Sequence, residues 1–181
     1  RLMPATASRH PWRRTSPVSS GARRLLLLAP LVLLLATGCS DDPEWPVLAF
    51  DEVQWASSLG ISPSAFTELP AGVWIRDDQE GSGNPVGAGA LVRTHYRGFL
   101  SDGHRFDSSL DPSPRDPLQF TVGQGQMIAG FDWGVRGMRP GGVRTLLIPP
   151  LLEYGAPPTS GSTIHPNAWL VFEVHLVEQV N

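Results

Sequence analysis

The chain has 181 residues, 41% of them hydrophobic, enough to bury one core of moderate size with residues to spare. Its 18 prolines and 19 glycines favour many turns and short strands over a long-helix bundle. All 14 basic residues are arginine; six precede Cys39 while all 17 acidic residues follow it, so removing the first 38 residues would shift the formal charge from -3 to -9, eight arginines against 17 acids, a balance that argues against nucleic acid as partner.

Residues 1–22 are polar, basic and rich in Pro and Ser, and no fold is assigned to them. Arg23-Arg24 then precede Leu25 to Ala36, a run of apolar residues interrupted by Pro30, which is too short to span a bilayer comfortably. The basic flank and small-residue exit are those of a signal peptide. The exit, Leu35-Ala36-Thr37-Gly38-Cys39-Ser40, resembles a bacterial lipobox. That resemblance implies that residues 1–38 are removed, that Cys39 is the lipid-attachment site, and that the protein is lipid-anchored in the cell envelope outside the cytoplasm. With Ser40 next, the periplasmic face of the outer membrane is favoured over the inner membrane. An ordinary secretory signal with an idle cysteine, or an uncleaved anchor, is the alternative; the sole cysteine standing right after the apolar run favours the lipoprotein reading.

Residues 39–68 mix Pro, Ser and acids with scattered Trp45, Phe50, Trp55, Leu59 and Phe66, and read as an acidic tether with a partly packed end. One short helix is expected before Gly60, and Ser62-Pro63-Ser64 opens another turn. The globular part is placed at 69–181. Val73 to Ile75 forms an edge strand, and further strands are predicted at Ala90 to Leu100, Arg105 to Ser108, Leu118 to Val122, Val143 to Ile148 and Trp169 to Val177. In the last of these Leu170, Phe172, Val174 and Leu176 face the core, and Val171, Glu173 and His175 face water. Met127 to Val135 is predicted as the one short helix, with Ile128, Phe131 and Val135 on one side. The fold class is therefore α+β, a helix laid across an antiparallel sheet.

Three segments carry the chemistry: T-H-Y-R-G-F-L-S-D-G-H-R-F-D-S-S (Thr94 to Ser109), V-G-Q-G-Q-M-I-A-G-F (Val122 to Phe131) and L-L-E-Y-G-A (Leu151 to Ala156). Together they resemble the FKBP-type peptidyl-prolyl cis-trans isomerases over about Val73 to Val180. The resemblance implies a curved antiparallel β-sheet wrapped around one short α-helix. It also implies a pocket with Phe131 as its floor, where the family usually has tryptophan, and with Tyr96, Phe106, Met127, Ile128 and Phe172 as walls. Leu118 and Phe120 line one side and Ile164 stands at the rim. In the family the Ile128 backbone N–H and the Tyr154 hydroxyl meet the ligand's carbonyls, and the Asp107 carboxylate faces the pocket, where it could hold the Tyr96 hydroxyl. Whether Arg115 pairs with Asp107 is left open.

The implied activity is acceleration of rotation about X-Pro bonds in exported proteins, assisting their folding, with no cofactor and no metal. Implied partners are proline-containing peptides or unfolded protein clients, macrolide inhibitors, and a membrane through the lipid anchor; nothing demands more than a monomer. The alternative is a non-catalytic chaperone or binding module of the same fold, which Phe131 in place of tryptophan keeps open. Other chemistries fit the residues less well. Gly125 to Gly130 has phosphate-loop spacing, but Phe131-Asp132 follows where Lys and Ser/Thr are needed. Asp107, Ser108 and His104 or His95 lack a G-x-S-x-G elbow, and the four histidines after Cys39 have no paired ligand spacing.

Overall fold

The computed structural model describes residues 45–152 and 163–180. The signal-type segment, Cys39 and Tyr154 lie outside those residues. Among the described residues seven strands form one antiparallel sheet: β1 (Thr67–Glu68), β2 (Trp74–Gln79), β3 (Leu91–Leu100), β4 (Arg105–Ser108), β5 (Leu118–Thr121), β6 (Val143–Ile148) and β7 (Leu170–Val180). Their order is β1-β2-β6-β7-β3-β4, with β5 also on β3. The long strand β3 is the hub. Along one edge it pairs with β7 from Leu91↔Val180 to Leu100↔Leu170. Along the other its first half pairs with β5 and its second half with β4, so one strand sets the register of three. Register shifts at Arg93/Thr94 and Gly98/Phe99 bend it, as bulges do, and the sheet is curved.

The single α-helix among the described residues, α1 (Ala129–Gly134), is shorter than the expected 127–135. Ile128 stays extended (φ -56°, ψ 143°) and its carbonyl accepts the Asp132 N–H at 3.1 Å. At the other end Gly137 takes a left-handed φ of 80°, which stops propagation. The guanidinium of Arg144 donates to the carbonyls of Gly134 and Arg136, both at 2.9 Å, and so satisfies helix-end acceptors that lack intrahelical partners.

The inner face carries the main core: Val92, Phe120, Phe131, Val135, Leu146, Ile148, Leu170, Phe172, Val174 and Leu176 are among its buried members. Contrary to the expectation that the alternate face is wet, Val171 is buried too, beside Leu147, Trp169, Val53 and Phe66. Glu173 and His175 do remain half-exposed on that face. The cover comes from residues 45–68. Phe50 stacks on Trp74 with ring centroids 4.0 Å apart, Trp55 meets Trp169 edge-on, and Arg76 lies over the Phe66 ring while donating to the Gly60 carbonyl at 3.1 Å. The packed end of that stretch is thus long, and its turns fall at Ser57–Leu59, closed by Gly60 with φ 59°, and at Pro63–Ala65. β2 is not an edge strand: β1 pairs outside it through Thr67↔Ile75 and Glu68↔Trp74. So short a strand left no alternation to read.

The seat of α1 on β6 is close because Gly130 and Gly134 face it. A Cβ added at Gly134 would stand 2.5 Å from Leu146 Cδ1, and one at Gly130 would run into Cγ2 of Ile148, with Cγ1 at 3.0 Å. Alanine favours a helix interior over glycine by about 1 kcal/mol, whereas overpacking against a stiff β-branched side chain costs about 1–3 kcal/mol, so overpacking wins. Gly130→Ala is therefore expected to destabilise by about 1–2 kcal/mol in chemical denaturation. A midpoint at or above wild type would show that helix and strand are not in close contact.

Candidate functional site

The close seat of α1 delivers Phe131 to the middle of an aromatic cluster. Phe131 is fully buried and its ring meets those of Phe172 (5.3 Å between centroids), Phe120 (5.8 Å) and Tyr96 (6.1 Å), each edge to face. Phe106 continues the cluster from β4 against Phe172 at 5.6 Å. Edge-to-face pairs of this kind are each worth about 0.5–1.5 kcal/mol beyond the area they bury. Gly98 on β3 makes the room: a Cβ there would lie 2.7 Å from Phe106 Cζ and 3.1 Å from Phe172 Cε1. Tyr96 and Gly98 alternate onto the inner face of β3, so one strand contributes both a ring of the cluster and the gap beside it.

Half-buried Tyr96 ends in a polar handle. Its hydroxyl donates to Asp107 Oδ2 at 2.5 Å, and Oδ1 of the same carboxylate accepts from Arg115 Nη2 at 2.6 Å and from the Ser108 N–H at 2.8 Å. Arg115 donates in addition to the Ser108 carbonyl. Burial pushes the Tyr96 phenol up to about 12, helped by the bond to Asp107 and its negative charge and opposed by Arg115. Burial also pushes the Asp107 carboxyl upward, but the bonds from Tyr96, Arg115 and the Ser108 amide, with the charge of Arg115, outweigh it and hold the group below the usual carboxylate range. The phenol is therefore a fixed neutral donor and the carboxylate a fixed anion.

The loop that supplies Arg115 is tied down on both sides. Arg97 donates to Asp111 Oδ2 at 2.8 Å and to Glu173 Oε1 at 2.5 Å, and Arg105 also donates to Asp111. Ser108 Oγ accepts the Leu110 and Asp111 amides, and the Arg115 amide reaches the Ser109 carbonyl at 3.0 Å. A groove of about 360 Å³ lies along this loop, with Phe106, Asp107, Pro112 and Ser113 in its lining.

Of the residues singled out by sequence, Phe120, Phe131, Phe172 and Ile164 are buried in the inner core, and Tyr96, Phe106, Leu118, Met127 and Ile128 pack half-buried against it. They come from six different segments of chain and meet around α1. Tyr154 lies outside the described residues. Sequence reasoning passed over Asp132, whose buried carboxylate accepts the Gly123 N–H (2.8 and 2.9 Å) and pairs with Arg136 at 3.4 Å, anchoring the V-G-Q-G turn to the helix. The four-residue spacing of Asp132 and Arg136 was the available signal. Gly98, inside the predicted strand, was given no role in the site, because a glycine's neighbours across the sheet cannot be seen from the strand's own sequence. Among the described residues no group of three or more His, Cys, Asp or Glu is placed to hold a metal ion.

A family model described as FKBP-type peptidyl-prolyl cis-trans isomerase matches residues 83–177. An FK506-binding protein of Neisseria meningitidis serogroup B is 47% identical over 107 residues, which is 59% of this chain and 95% of that protein. One from Streptomyces anulatus is 44% identical over 111 residues, 61% of this chain and 88% of the relative. Among solved structures, AtFKBP13 aligns with a TM-score of 0.55 at 37% identity, covering 64% of this chain and 98% of its own. FkpA from Escherichia coli aligns with a TM-score of 0.56 at 28% identity, covering 68% and 55%.

Tyr96 and Asp107 respond to pH in opposite directions. A phenol raised from 10.0 to about 12 contributes stability that is whole below pH 10 and is lost as pH rises through about 12. A depressed carboxyl contributes stability above the ordinary carboxylate value and loses it as pH falls through the lowered one. Tyr96→Phe should abolish a phenolate titration centred near pH 12 in ultraviolet difference absorbance and cost about 1–2 kcal/mol at neutral pH. A variant that keeps the high step would move that titration to another tyrosine.

Proposed function

The chain belongs to the family of FKBP-type peptidyl-prolyl cis-trans isomerases, and from that premise we propose that it accelerates rotation about X-Pro bonds in exported proteins. The observation that carries this reading is the set of aromatic side chains gathered on Phe131 beside the Tyr96–Asp107 pair. The reaction breaks no bond. Rotation of the amide loses resonance and climbs about 18–20 kcal/mol, and at the twist the nitrogen becomes pyramidal and charge separation across the amide falls. A dry, apolar surround favours that less polar state, and lowering the barrier by about 5 kcal/mol accelerates rotation more than a thousandfold.

In this reading the proline ring lies over Phe131, with Phe106, Met127, Ile128 and Phe172 as walls, Leu118 and Phe120 on one side and Ile164 at the rim. The Ile128 N–H and the Tyr154 hydroxyl hold the carbonyls flanking the proline. Asp107 works through Tyr96, keeping the ring in place; it is a positioning residue. Phe131 in place of tryptophan and Leu118 in place of phenylalanine reshape the site, which bears on rate and on macrolide affinity. The relatives' name, FK506-binding protein, supports testing such macrolides as inhibitors. We also propose that Cys39 carries the lipid that holds a monomeric domain outside the cytoplasm, with residues 1–38 removed and clients met in the cell envelope.

Phe131→Ala in the full chain is expected to reduce kcat/KM for cis-to-trans relaxation of an Xaa-Pro peptide by about a hundredfold. Because emptying a buried aromatic site costs about 3–5 kcal/mol, Phe131→Leu serves where the alanine variant fails to fold, with about a tenfold loss. Wild-type turnover in a folded variant would overturn the assignment of this site. A well-folded wild type that binds the peptide without accelerating it would replace catalysis by a binding module. Cys39→Ala should leave peptide turnover unchanged and release the protein from membranes on fractionation. If the variant sediments with membranes as wild type does, the lipid reading is wrong.

A further inference from the structure

Residues 45–48 lie well before the family-matched residues 83–177, yet they touch the foot of the loop that carries Ile164. The Trp45 indole stacks on the His165 ring with centroids 3.9 Å apart and planes inclined by 10°. The Asn167 side-chain amide donates to the Trp45 carbonyl at 2.7 Å, and Trp169 Nε1 donates to the Leu48 carbonyl at 2.9 Å. Three alternate residues, 165, 167 and 169, thus hold one short stretch of the N-terminal segment. Ile164 and Ala168, between and beside them, are buried in the inner core, the same core that holds Phe131.

Asn167 also has a left-handed φ of 58°, a conformation that non-glycine residues rarely adopt without support. Asparagine reaches that region more readily than most residues, and here its side-chain amide is turned onto the Trp45 carbonyl. Trp45 itself remains 41% exposed, so it is a poor candidate for a core residue of the domain. Its partners make a brace.

We propose that Trp45 and Leu48 form a strap that positions the segment 164–169 and so holds Ile164 at the rim of the substrate site. The role in substrate binding rests on the isomerase reading; the brace itself does not. A loop end released from the strap samples more conformations, and peptide binding must then order it. This cost falls on ground and transition states alike, so KM rises while kcat is kept.

The test uses the full chain. In Trp45→Ala, the backbone amides of Ile164, His165, Asn167 and Ala168 should exchange about tenfold faster with solvent while those of β3 and β7 keep wild-type protection. KM for an Xaa-Pro peptide should rise about threefold with kcat near wild type, and Trp45→Phe, which restores a stacking face, should recover both. Asn167→Gly keeps access to the left-handed conformation but removes the donor; faster exchange at 164–168 in this variant supports the strap, and wild-type exchange overturns the role of that bond. Unchanged exchange in Trp45→Ala overturns the brace whatever the kinetics show. If wild type does not turn over the peptide, the isomerase reading fails while the exchange experiment still decides the brace. Faster exchange with unchanged KM in an active enzyme overturns the link to the substrate site.

Discussion

The distance between one short helix and one strand sets the geometry of the whole site. Six residues of α1 are too few to be stable alone, since an isolated helix of that length does not overcome its nucleation cost, so its position must come from packing. Gly130 and Gly134 present no side chains to β6, and the backbone comes down onto Ile148 and Leu146. Phe131, one residue on from Gly130, is thereby set edge to face against Phe172, another neighbour of which, Phe106, lies over Gly98. Two absent Cβ atoms on the helix and one on the sheet are what let five aromatic rings pack together. Enlarging any of these positions would shift Phe131 and the rings packed against it together.

Polar groups take over where apolar packing stops. Arg144 is itself buried; its charge is met by Asp77 at 2.7 and 3.0 Å and by two carbonyls at the end of α1. Asp132, also buried, binds the V-G-Q-G turn to the same helix. One residue thus ties the helix to what precedes it and the other ties it to the sheet beneath. The pairs around Asp107 and Asp111 are exposed to solvent, which screens them, so they contribute little to stability. What they supply is direction: Asp107 can be aimed at Tyr96 only while Arg115 and the Ser108 amide hold its other oxygen. Burial first, and then the carboxylate so fixed, keep the phenol protonated, and the bond holds the ring in one place.

Strand positions with strict alternation were legible from the chain alone, and β4 and β6 agree with the expectation residue for residue. The helix was overextended because the 3.6-residue periodicity of Ile128, Phe131 and Val135 persists into residues that contact the core without being helical. Periodicity reports which side chains face inward, and an extended residue such as Ile128 can face inward equally well. The aromatic set of the site was visible as a pattern of residue types, and the pairing of Arg115 with Asp107 was left open, because a loop's path depends on its anchors at Arg97 and Ser109, which are remote in sequence. Most hidden was the outer face. Val171 sits among Glu173 and His175 on the solvent side of an amphipathic strand, and nothing in β7 itself announces that Phe66 and Val53 will cover it.

That cover changes what the folding unit is. Residues 83–177 contain the strands and helix of the site, but the sheet they form has two apolar faces. Leu147, Trp169 and Val171 on the outer face would meet water if residues 45–68 were absent, together with the flat ring of Trp74 that Phe50 now shields. Fully burying one such side chain is worth about 1.5–3 kcal/mol, so stripping several at once consumes much of the 5–15 kcal/mol by which domains of this size are stable. An exposed patch of this kind would also attract other chains. The stretch that by composition resembles a spacer is therefore part of the domain from Trp45 onward, and any flexible tether must end before it.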